Sequence, residues 1–175
     1  LPDMTVQENL QVALPASVFA GDLSAAAVAR DLLDRVGLEV HLKDRVETLT
    51  VAQQHLLEIA KAFAVEPKIL ILVEPTAPLG GDAVALLFGR VRRAVLAGTS
   101  VVYITHRLAE VRELADRVTV LRDGSLVGTR DIGETNETEL VTMMINRSIE
   151  QIYHKETVPF GEMLLETRNL SGAGF

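Results

Sequence analysis

Residues 68–76 read Lys-Ile-Leu-Ile-Leu-Val-Glu-Pro-Thr, and this stretch decides the fold. Ile69 to Val73 is an unbroken β-branched and aliphatic run, the pattern of a strand buried on both faces in a parallel sheet, and it stops at Glu74-Pro75. A helix from Asp82 to Leu96, closed by Gly98, leads to a second such run, Val101-Val102-Tyr103-Ile104, which stops at Thr105-His106. The interval from Ile69 to His106, about 38 residues, suits one crossover between parallel neighbours. The sequence therefore predicts an α/β protein with a parallel sheet at its core.

Upstream of Pro67 the period is helical. Thr5 with Glu8 forms a capping box that opens a short helix to about Leu14, and Pro15 ends it. Leu23-Ser24 starts a second helix that runs to Gly37, and the polar stretch Glu39 to Thr48 reads as a loop. Thr50 with Gln53 repeats the capping box, and Leu56, Ile59, Ala60 and Phe63 recur at i, i+3, i+4 and i+7, so one face of this helix is buried. Downstream, a helix over Leu108 to Ala115 precedes a strand from Val118 to Leu121. Asp123-Gly124 then makes a hairpin turn into Leu126-Val127. Asn136 and Glu139 cap a last helix through Met144. Residues 148–162 read as a linker and 163–175 as carrying one more strand.

At 175 residues, 48% hydrophobic and 23% charged, the chain has the composition of a globular protein with a sizeable core. A formal charge of −7 argues against a broad nucleic-acid surface. The absence of cysteine removes a disulfide framework and thiolate metal sites, with the cytosol as default compartment. The aliphatic runs are far short of the roughly 18 residues of a membrane span. The chain opens at Leu1 and stops just after a strand-like run, so both ends read as cut.

Ligands of open parallel sheets bind beyond the carboxyl ends of the strands, where this sequence places Glu74 on one strand and His106 on its neighbour. A carboxylate there can polarise a water. An imidazole on the adjacent strand can contact a developing phosphate charge or hold carboxylate and water in line. Taken singly, the glutamate has the plainer reading of a cap or surface residue and the histidine that of a structural one. The helix opening at Thr50-Val51-Ala52-Gln53 offers first-turn amides and a positive dipole end to an anion, or is simply a well-capped helix.

Together and in this order, these pieces resemble the nucleotide-binding domain of ABC transporters, in particular the tandem-cassette ATPases of monosaccharide importers. Leu1 to Asn9 resembles the segment after the Q-loop, and Leu49 to Gln54 followed by Glu58 to Ala62 resembles the signature helix. Lys68 to Thr76 is similar to Walker B with its glutamate, Ala77 to Gly80 to the D-loop, Tyr103 to Arg107 to the switch-histidine strand, and Ala115 to Gly124 to the strand pair that follows. The resemblance implies an incomplete P-loop NTPase fold: a helical signature subdomain over 1–65, and an α/β core over 66–147. A linker over 148–162 and the first strand of a possible second cassette within 163–175 would follow.

It also implies roles. Glu74 would be the general base, His106 the γ-phosphate switch, and Thr50, Val51, Ala52 and Gln53 the signature contact made in trans. Leu79 and Gly80 would lie on the D-loop between two sites. The implied partners are transmembrane permease subunits and a second nucleotide-binding cassette, at the cytoplasmic face of the plasma membrane. ATP and magnesium would be bound by the intact parent, and nucleic acid is not an expected partner.

The sequence departs from the family pattern in several places. No glycine is followed by lysine, so G-x-x-x-x-G-K-[ST] does not occur within these residues, and Gln7 does not substitute for the Q-loop glutamine. Val73 stands where the family has the Walker B aspartate and offers no side-chain oxygen, so this chain supplies no metal ligand there. Thr50, Val51 and Ala52 replace the consensus serine and glycines, and Gly80 replaces a polar D-loop residue.

The chain by itself is therefore expected to bind no nucleotide tightly and to be inactive. With its sheet edges unpaired, it is expected to associate with copies of itself. The alternative is a degenerate, non-hydrolysing cassette that acts as a structural or regulatory interaction module. A DNA-repair or chromosome-organising ATPase head is disfavoured by the acidic balance and the lack of heptad runs.

Overall fold

A computed structural model describes residues 1–145, 165–168 and 172. The contacts divide the chain into two units, Leu1–Val118 with Thr129–Glu134, and Thr119–Gly128 with Thr135–Phe175.

The first unit begins with three helices, α1 (Val6–Ala13), α2 (Ala25–Asp34) and α3 (Val51–Ala64). Each starts where a hydroxyl can satisfy an orphan amide. Thr5 and Thr50 form full capping boxes with Glu8 and Gln53, and Ser24 accepts from the Ala27 N–H at 3.2 Å. The apolar faces converge: Val6, Leu10, Leu33, Leu38 and Leu57 are all but inaccessible, and α3 buries Leu56, Leu57, Ile59, Ala60 and Phe63. At roughly 1.5–3 kcal/mol per large apolar side chain, this burial rather than helix propensity holds the segment. Single turns of 3₁₀ helix at Ala16–Phe19 and Val46–Thr48 lie between the helices, the first within the stretch that follows Pro15 and the second inside the predicted loop.

Strand β1 (Ile69–Val73) and strand β2 (Ser100–Ile104) pair in parallel, with Leu70 opposite Val101 and Val73 opposite Ile104. Helix α4 (Gly81–Leu96) makes the crossover and lays Phe88 edge-on against Tyr103, 6.5 Å between centroids. One apolar cluster runs from Val6 and Leu33 through Leu57 to Leu70, Leu72 and Val91, so helices and sheet share a core. Gly37 has φ +68°, so the backbone calls for glycine; a Cβ there would lie 2.5 Å from Leu86 Cδ1 of α4, the end of a half-exposed side chain that can move aside.

One expectation is corrected. The strands are not buried on both faces: Leu70 and Leu72 are buried, whereas Ile69, Ile71 and Val73 are 60–65% exposed and Val102 and Ile104 48% exposed. Among the described residues this sheet has two strands, and α4 covers only the face that carries Tyr103. The opposite face remains an apolar stripe. Helix α5 (Leu108–Leu114) follows β2.

A hairpin of β3 (Arg117–Arg122) and β4 (Ser125–Asp131) has its tip in the second unit. Asp123 (φ 49°) and Gly124 (φ 73°) make the tight turn that the sequence predicts. The second unit also holds helix α6 (Glu137–Ile145), capped by Asn136 Oδ1, which accepts from the Glu139 N–H at 2.9 Å; Val120 and Leu140 are buried there. The predicted linker over 148–162 lies outside the described residues, as does most of 163–175. Within the latter, 165–168 and 172 carry no regular secondary structure.

Candidate functional site

Parallel pairing in this register ends both strands at the same level, which brings the two predicted residues together. The Glu74 N–H donates to the Ile104 carbonyl at 2.8 Å and continues the ladder one step past β1. Glu74 then turns at φ +46°, a left-handed conformation that costs a non-glycine residue on the order of 1 kcal/mol or more. The turn is held by the Ala77 N–H on the Glu74 carbonyl at 3.2 Å and by the Leu79 N–H on the Thr76 carbonyl at 3.0 Å. It swings the Glu74 side chain toward His106.

Glu74 Oε1 accepts from the His106 backbone N–H at 3.1 Å and from the ring Nδ1 at 2.9 Å. A carboxylate has only lone pairs to offer, so this contact assigns the ring proton to Nδ1 and leaves Nε2 directed away. The imidazole is 71% exposed. Glu74 is only 34% exposed, and its Oε2 is buried without a hydrogen-bond partner. One carboxylate oxygen is thus fixed and the other is left with unused acceptor capacity.

Beneath this pair lies a cluster that sequence reasoning did not single out. Glu110, on α5 and 6% exposed, accepts from the Thr76 hydroxyl through Oε1, and through Oε2 from Tyr103 Oη at 2.9 Å and Thr105 Oγ1 at 3.1 Å. Arg107 Nη1 stands 3.5 Å from Oε1. Burial pushes the Glu110 carboxyl up, but the three hydroxyl hydrogen bonds and the Arg107 charge outweigh it and hold the group below its ordinary value. Burial, the hydrogen bond to Glu110 and the charges of Glu110 and Glu74 push the Tyr103 phenol well above its own. The only sequence signal for Glu110 is its place one turn after His106.

The residues expected to make the signature contact, Thr50 to Gln53, occupy the N-cap and first turn of α3. Thr50 and Gln53 spend their side chains on each other: the Gln53 N–H donates to Thr50 Oγ1 at 3.2 Å and the Thr50 N–H to Gln53 Oε1 at 2.9 Å. Val51 is 73% exposed, and Ala52 follows it. One turn further on, His55 Nε2 donates to the Pro75 carbonyl at 2.8 Å, a second contact not foreseen, which ties α3 to the residue after Glu74. Leu79 and Gly80 follow that turn, and Gly80 is the N-cap of α4.

Among the described residues no group of three or more His, Asp or Glu stands where it could hold a metal ion. Val73, the last residue of β1, presents only methyl groups. These residues do not fit a magnesium site of their own. No helix of the described residues is long and apolar enough to cross a membrane.

Residues 1–77 match the model of a family described as ABC transporter. Over 172 residues the chain is 42% identical to a ribose import ATP-binding protein of Rubrobacter xylanophilus, a match that covers 97% of this chain and 35% of the relative. A ribose import ATP-binding protein of Burkholderia ambifaria is 40% identical over 180 residues, covering 98% and 35%. The chain thus spans about a third of the length of these curated relatives. Its fold superimposes on a dimeric ATP-binding cassette bound to ADP and Pi in a post-hydrolysis state, with TM-score 0.64 and 25% identity over 75% of this chain and 58% of that one.

Proposed function

This chain belongs to the ABC transporter family, and on that premise we propose that it serves in the ATP-binding subunit of an importer, coupling ATP binding and hydrolysis to the uptake of a sugar. The sugar class rests on the names of the relatives, which are ribose import proteins. The observation that carries the hydrolytic part is the pairing of Glu74 with His106 at the ends of β1 and β2.

In this reading the Glu74 carboxylate, positioned by the His106 contact, takes the proton of a water. The water oxygen bonds to the γ-phosphorus as the bond from that phosphorus to the bridging oxygen breaks, releasing ADP and phosphate. The exposed imidazole of His106 meets the γ-phosphate charge. Thr50 to Gln53 present a helix N-terminus to the ATP of a second cassette, with Leu79 and Gly80 on the turn between the two sites.

Residues 1–175 contain no G-x-x-x-x-G-K-[ST], so the phosphates must be cradled by residues outside them. The same holds for magnesium, given Val73. Residues 1–175 alone should therefore be inactive. The permease subunits and a second cassette are the proposed partners, and the cytoplasmic face of the plasma membrane the proposed place.

A second reading is favoured by Val73 specifically: a degenerate cassette that binds without turnover and serves as a structural or regulatory module. Calorimetry and ATPase assays on the full-length subunit and on residues 1–175 decide between these readings. The proposal expects saturable Mg-ATP binding and turnover at this cassette in the full-length protein, and neither in residues 1–175. Tight Mg-ATP binding by residues 1–175 contradicts the dependence on an outside phosphate loop. Binding without turnover in the full-length protein supports the degenerate module.

A further inference from the structure

We propose that Glu110 is the positioning residue of the hydrolytic pair, a buried carboxylate that locks together the two turns carrying Glu74 and His106; this inference rests on the reading of that pair as base and switch. Thr76, two residues after Glu74, and Thr105, one before His106, both donate to Glu110. Tyr103, in the register facing Leu72, donates to the same carboxylate at 2.9 Å. Thr105 Oγ1 in turn accepts from the Arg107 N–H at 3.0 Å, so His106 is bracketed on both sides by groups that lead back to Glu110.

Chain connectivity alone does not hold these turns in register. Glu74 is left-handed at φ +46°, and His106 lies in irregular backbone between β2 and α5. With a single hydrogen-bonded carboxylate below them, displacement of either turn has to break hydroxyl bonds to a buried charge. Such bonds are stronger than neutral ones, and leaving that charge unpaired is costly. Glu110 itself is 6% exposed and stands below the pair, so its effect is on the placement of the reacting groups and not on the chemistry.

The test uses the full-length subunit, comparing Glu110→Gln with the parent by Mg-ATP kinetics and by amide hydrogen exchange over residues 105–107. The expected result is a fall in kcat of about tenfold or more with KM for Mg-ATP within about twofold, because a small misplacement of reacting groups costs rate rather than binding. Exchange at the His106 amide should rise while that of α3 is unchanged. A kcat within about twofold of the parent, or kcat and KM changing in parallel with exchange raised throughout, overturns the proposal. If Glu110→Gln does not fold, Thr105→Val, which removes one hydroxyl from the carboxylate, should show the same split at an amplitude of about threefold, and an unchanged kcat overturns the proposal. Glu74→Gln run alongside separates the two failures. Full turnover in Glu74→Gln defeats the reading of the pair itself. Lost turnover in Glu74→Gln with full turnover in Glu110→Gln defeats only the role of Glu110.

Discussion

The Nδ1 of His106 lies 2.9 Å from Oε1 of Glu74, across the carboxyl ends of two parallel strands whose last residues, Val73 and Ile104, are register partners. Thirty-two positions separate the pair in the sequence, and the β-α-β crossover closes that distance. The contact fixes one carboxylate oxygen and one ring nitrogen. The other oxygen is buried without a hydrogen-bond partner, whereas the imidazole is 71% exposed.

Val73 is the last residue of β1 and immediately precedes that pair. On the proposed function, a carboxylate there would supply a magnesium ligand where only methyl groups now stand. Val73→Asp in the full-length subunit should raise ATP hydrolysis by about tenfold or more, since charge neutralisation dominates phosphoryl transfer. Steady-state ATPase rates check this. Vigorous hydrolysis with Val73 intact rules out the degenerate reading.

Glu110 gives the fold a signature in acid. Its folded pKa lies below the unfolded value of about 4.3, so its stabilisation is fully present above that pH and is lost as pH falls through the folded pKa. Glu110→Gln should therefore cost about 2 kcal/mol at pH 7, as expected for hydrogen bonds to a buried charge. The gap between variant and parent should close below pH ~4, in the direction that linkage requires. Urea titrations across pH 3–7 measure it, and a gap that widens in acid contradicts the network.

Gly37 ends α2 at φ +68°, with Leu86 Cδ1 only 2.5 Å from where a Cβ would sit. Leu86 is half-exposed and flexible, so its contact relaxes by a rotamer change and the backbone cost remains. Gly37→Ala should destabilise by about 1 kcal/mol with ATP affinity unchanged. An unaltered denaturation midpoint would contradict this account of the turn.

Ile69, Ile71, Val73, Val102 and Ile104 form an exposed apolar stripe on one face of the two-stranded sheet. Residues 1–175 produced alone should associate through such a face and its unpaired edges. Light scattering should report a dimer or larger species, and a monomer at all concentrations would count against it.

What the sequence made legible was local or periodic. Thr5 with Glu8 and Thr50 with Gln53 became capping boxes because three-residue spacing alone sets those hydrogen bonds. Glu74 and His106 could be named because each directly follows an apolar run or one residue beyond it, and parallel strands end side by side. The Glu110 cluster was not legible, since its hydroxyl partners include Thr76 from 34 positions away and nothing in local composition marks that pairing. The same applies to His55 and Pro75. The exposed stripe was misread because an all-apolar strand shows that both faces suit burial but does not say what covers the second.

The central claim is that Glu74 is the base of a hydrolytic site. The most direct test is ATP binding and single-turnover hydrolysis by the full-length subunit carrying Glu74→Gln. The account predicts ATP affinity within about threefold of the parent and hydrolysis slowed by about 100-fold, as expected when a general base is removed. Hydrolysis at the parental rate by that variant would contradict it.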